Sequence, residues 1–203
     1  MNDDSNGPSL DERVRALIAE KKIKEAITLV FQTLGAEVFG FLIRAMKDES
    51  DADEVFALLR ERVWHSIAKF RWQCTLRTWI YRIARNESSR FASGTQRRNR
   101  GRASFSELDN VVAAIRSGTQ SIRFSEKLDK LKALRDELPI EDRTLLILNV
   151  DRDLGFKEIA RIFLGETDEP TPEELKREAA RLRKRFQLLK QRITKRARED
   201  GLI

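Results

Sequence analysis

The sequence contains one cysteine, Cys74, and one histidine, His65, among its 203 residues. A single cysteine excludes an intrachain disulfide, and these two side chains are too few to form a zinc site with ordinary nitrogen and sulfur ligands. No nucleophile and base pair, P-loop or paired-carboxylate site is recognisable. We therefore expect a protein without a metal or other cofactor and without enzymatic activity.

An uninterrupted apolar run of the roughly 20 residues that cross a bilayer is also missing. The first residues, "MNDDSNGPSL", are acidic, whereas a secretion signal would be basic and then apolar. These two features predict a cytoplasmic protein with no membrane insertion.

Strict alternation of apolar and polar residues, the pattern of a half-buried strand, does not occur, so we predict an all-α fold. From Leu10 to about Arg90, apolar residues recur at helical spacings. Gly35 and the "KDESD" stretch are the predicted breaks between helices. Asp51 is the predicted N-cap of the next helix, whose apolar face comprises Val55, Phe56, Leu59, Val63 and Ile67.

Residues 96–124 are rich in Ser, Gly, Asn and Arg, which is the composition of a linker, with one short helix predicted at Val111–Ile115. Helical periodicity returns at residue 125. The sequence thus predicts two small helical domains, residues 1–95 and 125–203, joined by a basic flexible linker, residues 96–124.

Positive charge is concentrated in two parts of the chain, which has a formal net charge of +7. Residues 176–198 contain eleven Lys or Arg and one acidic residue, and residues 88–106 contain five arginines and no acid. Concentrated patches suit a polyanion such as nucleic acid. The alternative is that they are solvated helix faces.

Residues 70–90, "FRWQCTLRTWIYRIARNESSR", combine four aromatic residues with five arginines. Thr75 is the predicted N-cap of a helix. Helical spacing predicts a buried face made of Leu76, Trp79, Ile80, Ile83 and Ala84. It predicts an outward face made of Thr78, Tyr81, Arg82, Arg85, Ser88 and Ser89.

Phe70 and Trp72 precede this helix, in a predicted loop where helix packing does not require large aromatic side chains. Stacking on an aromatic ring contributes about 1 to 3 kcal/mol per base. A loop that pairs aromatic rings with arginines therefore suits unstacked bases and their phosphates.

The segments "GFKEIARIFL" and "TPEELKREAARLRKRFQLLKQRI" are typical of a helix-turn-helix. Thr171 and Glu174 form a predicted capping box, with Pro172 at the first helical position. Arg177, Arg181 and Lys184 are predicted to face outward, opposite an inner stripe of Leu175, Ala179, Leu182, Phe186, Leu189 and Ile193. The alternative is a charged antiparallel helical hairpin, because "GETDEPTPE" makes the turn long.

Taken together, "KFRWQCTLRTWIYRIARN", "LPIEDRTLLIL", "LGFKEIARIFL" and "ELKREAARLRKRFQLLKQRI" resemble the extracytoplasmic-function group of bacterial sigma factors. The resemblance covers about Leu34 to Arg196. It implies a first domain that binds core RNA polymerase and opens the minus-ten promoter element, and a second that reads the minus-thirty-five element. It also makes an anti-sigma factor a candidate partner, since family members commonly have one.

The resemblance assigns roles to residues of this chain by position. The resemblance assigns polymerase binding to Asp51, Asp53, Glu54 and Leu58. In this chain Ala57-Leu58 replaces the Gln-Glu pair that is common in the family. Minus-ten DNA binding falls to Arg71, Trp72, Gln73, Thr75, Arg77, Arg85, Asn86 and Arg90. Minus-thirty-five DNA binding falls to Thr171, Lys176, Arg177, Arg181, Arg183, Lys184 and Arg185.

Two other functions agree with parts of the sequence. A helix-turn-helix regulator that never binds polymerase would leave the loop aromatics Phe70 and Trp72 unused. A sequence-independent nucleic-acid-binding accessory protein would explain the charge but not the order of the two domains.

Overall fold

The computed structural model describes residues 8–94, 133–165 and 170–201. Its helices are α1 (Leu10–Ala19), α2 (Ile23–Met46), α3 (Glu49–Ser66), α4 (Leu76–Ala92), α5 (Ile140–Leu146), α6 (Phe156–Phe163) and α7 (Pro172–Glu199). A 3-10 turn, Ile67–Lys69, follows α3, and a π-helical turn, Ile147–Asp151, continues α5. The predicted all-α class is confirmed, since no strand occurs within the described ranges.

Helix α2 runs through the centre of the N-terminal half. It is long and apolar enough to cross a membrane by length and composition, but 56% of its most apolar stretch is buried inside the fold. An apolar helix covered by neighbouring helices is typical of a protein core. Gly35 lies within α2 and is buried, so the break predicted there is wrong. The cost of one glycine, about 1 kcal/mol relative to alanine, is small beside the burial of the surrounding residues.

Helix α3 packs on α2 through aromatic rings. The ring of Phe56 lies 5.7 Å from that of Phe31 and 5.2 Å from that of Phe39. The predicted apolar face of α3 is confirmed, because Val55, Phe56, Leu59, Val63 and Ile67 are all buried.

The N-cap of α3 differs from the prediction. Asp48 caps the helix, accepting a hydrogen bond from the Asp51 backbone N–H at 3.0 Å, and Asp51 lies in the first turn. Both positions are favourable for a carboxylate, since the first turn of a helix carries partial positive charge.

Helix α7 has the capping box and most of the buried face that the sequence predicts. Thr171 and Glu174 form the capping box of α7, with Pro172 in the first turn. The buried stripe of α7 contains Leu175, Ala179, Leu182, Phe186 and Leu189, whereas Ile193 is only partly buried. Residues 166–169 of the connection lie outside the described residues, so the helix-turn-helix stays a prediction.

The C-terminal helices pack directly on the N-terminal ones: α5 and α6 contact α4, and α5 also contacts α2. After the π-helical turn, Arg152 Nη2 donates a hydrogen bond of 2.7 Å to the backbone oxygen of Glu37. Gly40 lies one turn further along α2, where a β-carbon would come within 3.3 Å of this Arg152 nitrogen. Glycine at position 40 therefore leaves room for the arginine.

The predicted linker, residues 96–124, and the short helix predicted at Val111–Ile115 lie outside the described residues. The three-part division of the chain at residues 95 and 125 therefore stays a prediction.

Candidate nucleic-acid interface

Residues 70–75 form the loop before α4, as predicted. Phe70 stacks on Trp79 of α4, with ring centroids 4.7 Å apart and an interplanar angle of 23°, and Trp72 packs against Phe70 at 4.8 Å. Trp79, predicted to be buried, is partly exposed. We call Phe70, Trp72 and Trp79 the aromatic cluster. It joins the loop to the first turns of α4.

The backbone of Trp72 has a φ of +59°, in the left-handed region. Such a conformation is unusual for a bulky residue and indicates local strain. Arg71, Gln73 and Thr75 are exposed around it. The loop therefore presents polar and cationic groups to solvent beside the aromatic cluster.

Thr75 is the N-cap of α4, as predicted. Its side-chain oxygen accepts a hydrogen bond of 3.2 Å from the Thr78 backbone N–H. The Leu76 N–H donates to the carboxylate of Asp11 in α1, with 3.2 Å to each oxygen. Local sequence predicts the first contact, but it carries no signal for the second.

Arg77, predicted to contact DNA, is paired with Glu37 of α2. Its Nε and Nη2 atoms lie 2.9 and 2.5 Å from Glu37 Oε1, and the Tyr81 hydroxyl donates to the same oxygen at 2.8 Å. Burial acts to raise the pKa of Glu37, but the hydrogen bonds from Arg77 and Tyr81 outweigh it and lower the pKa below its usual range. Burial raises the pKa of the Tyr81 phenol, which keeps Tyr81 a donor.

The outward face predicted for α4 is wrong for most of its members. Thr78, Tyr81, Arg82 and Ser88 are buried, and only Arg85 and Ser89 keep partial exposure. The cause is tertiary packing, because α2 and α6 cover the side of α4 that helical periodicity alone leaves open.

The carboxylates of Glu141 and Glu158 bind this covered face from the C-terminal helices. Glu141 of α5 accepts hydrogen bonds from Arg85 Nη2 at 2.7 Å and from the Ser89 hydroxyl at 3.0 Å. Glu158 of α6 accepts a hydrogen bond of 3.0 Å from the Thr78 hydroxyl. Glu141 therefore binds Arg85, a residue to which the resemblance assigns minus-ten DNA binding.

A backbone oxygen and an aromatic ring of α6 also contact the arginines of α4. Arg82 Nε donates to the backbone oxygen of Arg161 at 3.0 Å, and the Arg85 guanidinium lies 4.7 Å from the ring centroid of Phe163. Asn86, a predicted DNA-binding residue, is buried and accepts a hydrogen bond from Arg85. In this arrangement the middle of α4 faces protein.

Ion pairs link the last turns of α4 to α3. Arg90 lies 3.0 Å from the carboxylate of Glu87, which is also 3.8 Å from Arg62. Glu87 is almost fully buried, so it needs these cations to offset the loss of hydration.

The predicted polymerase-binding residues lie together on α3. Asp51, Asp53, Glu54 and Leu58 are partly exposed along one side of its first three turns. The opposite side of α3 packs on the core, so these residues form a surface that is acidic at its start and apolar at Leu58.

The predicted DNA-binding residues of α7 fall into two groups. Thr171, Lys176, Arg177 and Lys184 are exposed. The other three arginines have protein contacts, although Arg181 and Arg183 are themselves exposed. Arg181 is held by Glu178 at 2.6 and 2.7 Å, Arg183 lies 5.2 Å from the Phe156 ring, and Arg185 binds the buried Asp142 at 2.5 Å.

A groove of about 730 Å³ brings the loop and α7 together. Its lining includes Gln73 from the loop, Lys157 and Arg161 from α6, and Lys176 and Arg183 from α7. The described part of this groove is basic, as a surface that binds a phosphate backbone requires.

Residues 30–98 match the family model of Sigma-70 region 2, a segment that includes most of α2, all of α3 and α4, and the aromatic loop. The chain is also similar to the RNA polymerase sigma-H factor of Pseudomonas aeruginosa, with 24% identity over 159 residues, or 75% of this chain and 80% of the relative. The part of the chain from residue 30 to residue 98 is thus similar to region 2 of sigma factors, in agreement with the resemblance found in the sequence.

A solved structure similar to this chain is that of the sigma factor RpoE in complex with the anti-sigma factor NepR from Bartonella quintana. Its TM-score is 0.48 and its sequence identity 20%, and the match covers 84% of this chain and 98% of the other.

The carboxylate of Glu37 is expected to stabilise the folded protein in a pH-dependent way. Replacing it by Gln should lower the free energy of unfolding by about 1 to 3 kcal/mol at pH 7, because Arg77 loses its ionic partner. Since the pKa of Glu37 is lowered in the folded state, this stabilisation is present above the usual glutamate pKa near 4.5 and is lost as pH falls through the folded value. Urea unfolding from pH 7 down to about pH 3.5 measures it.

Glu20→Gln is the control, because Glu20 forms only an exposed ion pair with Lys22. It should change the stability by less than about 1 kcal/mol. A Glu37→Gln difference that stays constant over the whole pH range would contradict the assignment.

Proposed function

We propose that this protein is a sigma factor of the extracytoplasmic-function type. It binds core RNA polymerase through α3, holds an unstacked promoter base in the loop of residues 70–75, and reads an upstream promoter element with α7. The observation that carries the proposal is the aromatic cluster, which is partly exposed beside Arg71 of the loop before α4. Stacking surface and cations are what a protein needs to stabilise bases that have left the duplex.

The protein acts in the cytoplasm, with core polymerase and promoter DNA as partners. Promoter opening needs stacking, hydrogen bonds and neutralised phosphates, so we assign no catalytic group. An anti-sigma factor remains a candidate partner on the basis of the sequence resemblance.

The proposed polymerase contact is the exposed side of α3. Asp51, Asp53 and Glu54 present carboxylates in its first turns, and Leu58 adds an apolar contact one turn later. Such a surface suits a partner surface with basic groups around an apolar centre.

Minus-ten binding requires α5 and α6 to move off α4. Arg85 is bound to Glu141, and Asn86 is buried beneath the same contact. The carboxylate leaves this guanidinium incompletely satisfied, since Arg85 Nε is buried without a hydrogen-bond partner among the described residues. A phosphate that displaces Glu141 would offer further acceptor oxygens to Arg85.

Transcription by sigma-free core polymerase tests the proposed function. The added protein should start transcripts from a subset of a promoter library, and sequencing those transcripts identifies the promoters. A helix-turn-helix regulator or an accessory nucleic-acid-binding protein would start none.

Trp72→Ala should slow promoter opening about tenfold, because about 1 to 3 kcal/mol of stacking is lost per base. Initial binding to duplex promoter should stay unchanged, since the base leaves the stack only later. Permanganate reactivity of promoter thymines reports opening. Leu188→Ala, which removes an exposed apolar side chain on α7, is the control. Equal reactivity of the Trp72 variant and the unaltered protein would refute the role of Trp72.

Glu141→Gln combined with Glu158→Gln should raise the affinity of the free protein for a single-stranded minus-ten oligonucleotide about tenfold. Each substitution weakens a hydrogen bond of about 1 kcal/mol that holds α5 or α6 against α4. Fluorescence anisotropy at fixed salt measures the affinity. Glu173→Gln combined with Glu199→Gln is the matched control, since it removes equal charge away from α4. If the two double variants change the affinity equally, the effect comes from net charge. The contact of α5 and α6 with α4 then does not limit DNA binding.

Arg177→Ala and Lys184→Ala should weaken upstream-element binding in different ways. Both residues are exposed on α7, and Arg177 lies nearer its N-terminal end. A base-reading arginine carries about 1 to 3 kcal/mol of discrimination at one promoter position, whereas a phosphate contact lowers affinity for every sequence and reduces the salt slope by about one. Binding to upstream-element point mutants at several salt concentrations separates them.

Lys195→Ala, near the far end of α7, provides the control for loss of one positive charge. Even losses across all promoter sequences for Arg177→Ala would show that α7 holds DNA without reading it.

A further inference from the structure

Helix α1 lies before the residues that match the sigma-70 region 2 family, and the sequence alone gave it no role. Its start is fixed by a capping box between Ser9 and Glu12, in which the Ser9 N–H donates to Glu12 at 2.7 Å. Val14 is fully buried and packs with Leu10, Leu17 and Ile18 against the core. These contacts fix both the position of α1 and the direction in which its other side chains point.

Asp11 and Arg15 are one helical turn apart on α1, and both contact the segment that begins α4. The Asp11 carboxylate accepts the Leu76 N–H, 65 residues away in sequence. This N–H is one of the donors at a helix start that have no partner within the helix. A carboxylate there is favourable because the N-terminus of a helix carries partial positive charge.

Arg15 contacts the loop that precedes α4. Its guanidinium carbon lies 5.8 Å from the centroid of the Trp72 ring, within the range of a cation–π contact. Trp72 is the loop residue with the left-handed backbone, and its ring also packs against Phe70. A strained residue keeps its conformation only where its surroundings hold it. Arg15 and Phe70 are two such contacts.

We propose that α1 positions the base-binding loop: Asp11 fixes the first turn of α4 while Arg15 holds the Trp72 ring in the orientation that receives a base. The part of this proposal that concerns the base rests on the proposed function. Asp11 and Arg15 are positioning residues, because they act through Leu76 and Trp72. Loss of either should leave core polymerase binding unchanged, since the polymerase-binding side chains lie on α3.

Hydrogen exchange in the free protein tests the positioning without any need for transcription. Asp11→Ala should speed exchange of the Leu76 amide about fivefold, as expected for the loss of one helix-capping acceptor. Asp11→Asn keeps a carbonyl oxygen at the same place and should restore most of the protection. Exchange of Leu76 in Asp11→Ala that equals the unaltered protein would overturn the role of Asp11.

Promoter opening tests the functional part. Arg15→Ala should slow the appearance of permanganate-reactive thymines about two- to fivefold, in line with an exposed cation–π contact. Arg15→Lys should recover part of the rate. The matched control is Arg13→Ala, which removes the same charge from an exposed position on α1. Unchanged thermal unfolding and unchanged affinity for core polymerase should accompany the slower opening.

The outcomes separate the two proposals. If the unaltered protein opens promoters and Arg15→Ala opens them as fast as Arg13→Ala, the positioning role of Arg15 is wrong. If Arg15→Ala and Arg13→Ala slow opening equally, the effect is one of net charge and the proposal is again overturned. If the unaltered protein opens no promoter, the proposed function is wrong, and the exchange of the Leu76 amide alone decides the structural part.

Discussion

Helix α4 carries charged and polar side chains into the middle of the fold, and each of them needs a partner there. Burying a charge without a counter-charge costs several kcal/mol, so carboxylates must reach α4 from the helices around it. Glu37 of α2, Glu141 of α5 and Glu158 of α6 do so, at 2.5 to 3.0 Å. The placement of the C-terminal helices beside the N-terminal ones follows from this requirement as much as from apolar packing.

Features that depend on neighbouring residues could be predicted from the sequence. Helical spacing identifies the buried face of α3, and the Thr75 cap and the Thr171–Glu174 capping box each join residues three positions apart. The outward face of α4 could not be predicted, because its partners Glu37 and Glu141 are 40 and 56 residues from the arginines they bind. The Asp48 cap was missed because several acidic residues in "KDESD" fit a helix start equally well.

In α7, the density of Lys and Arg in the sequence identifies a basic surface. It does not show which of these residues bind carboxylates within the protein. Arg185 binds Asp142, which is buried and also 3.3 Å from Arg192, so part of the positive charge holds α7 to α5. Arg181 is occupied by Glu178. It is nevertheless exposed, as are Lys176, Arg177 and Lys184. The run of cations therefore serves two purposes: helix packing and an open basic face.

The left-handed backbone at Trp72 affects the entropy of the base binding proposed for this loop. A non-glycine residue in this region lies roughly 1 to 2 kcal/mol above its relaxed conformation, a cost that belongs to folding rather than to binding. Because the ring is already ordered against Phe70 when no base is present, an incoming base need not immobilise a mobile tryptophan. The ordering that a flexible loop would undergo during the proposed promoter opening is thus completed when the protein folds.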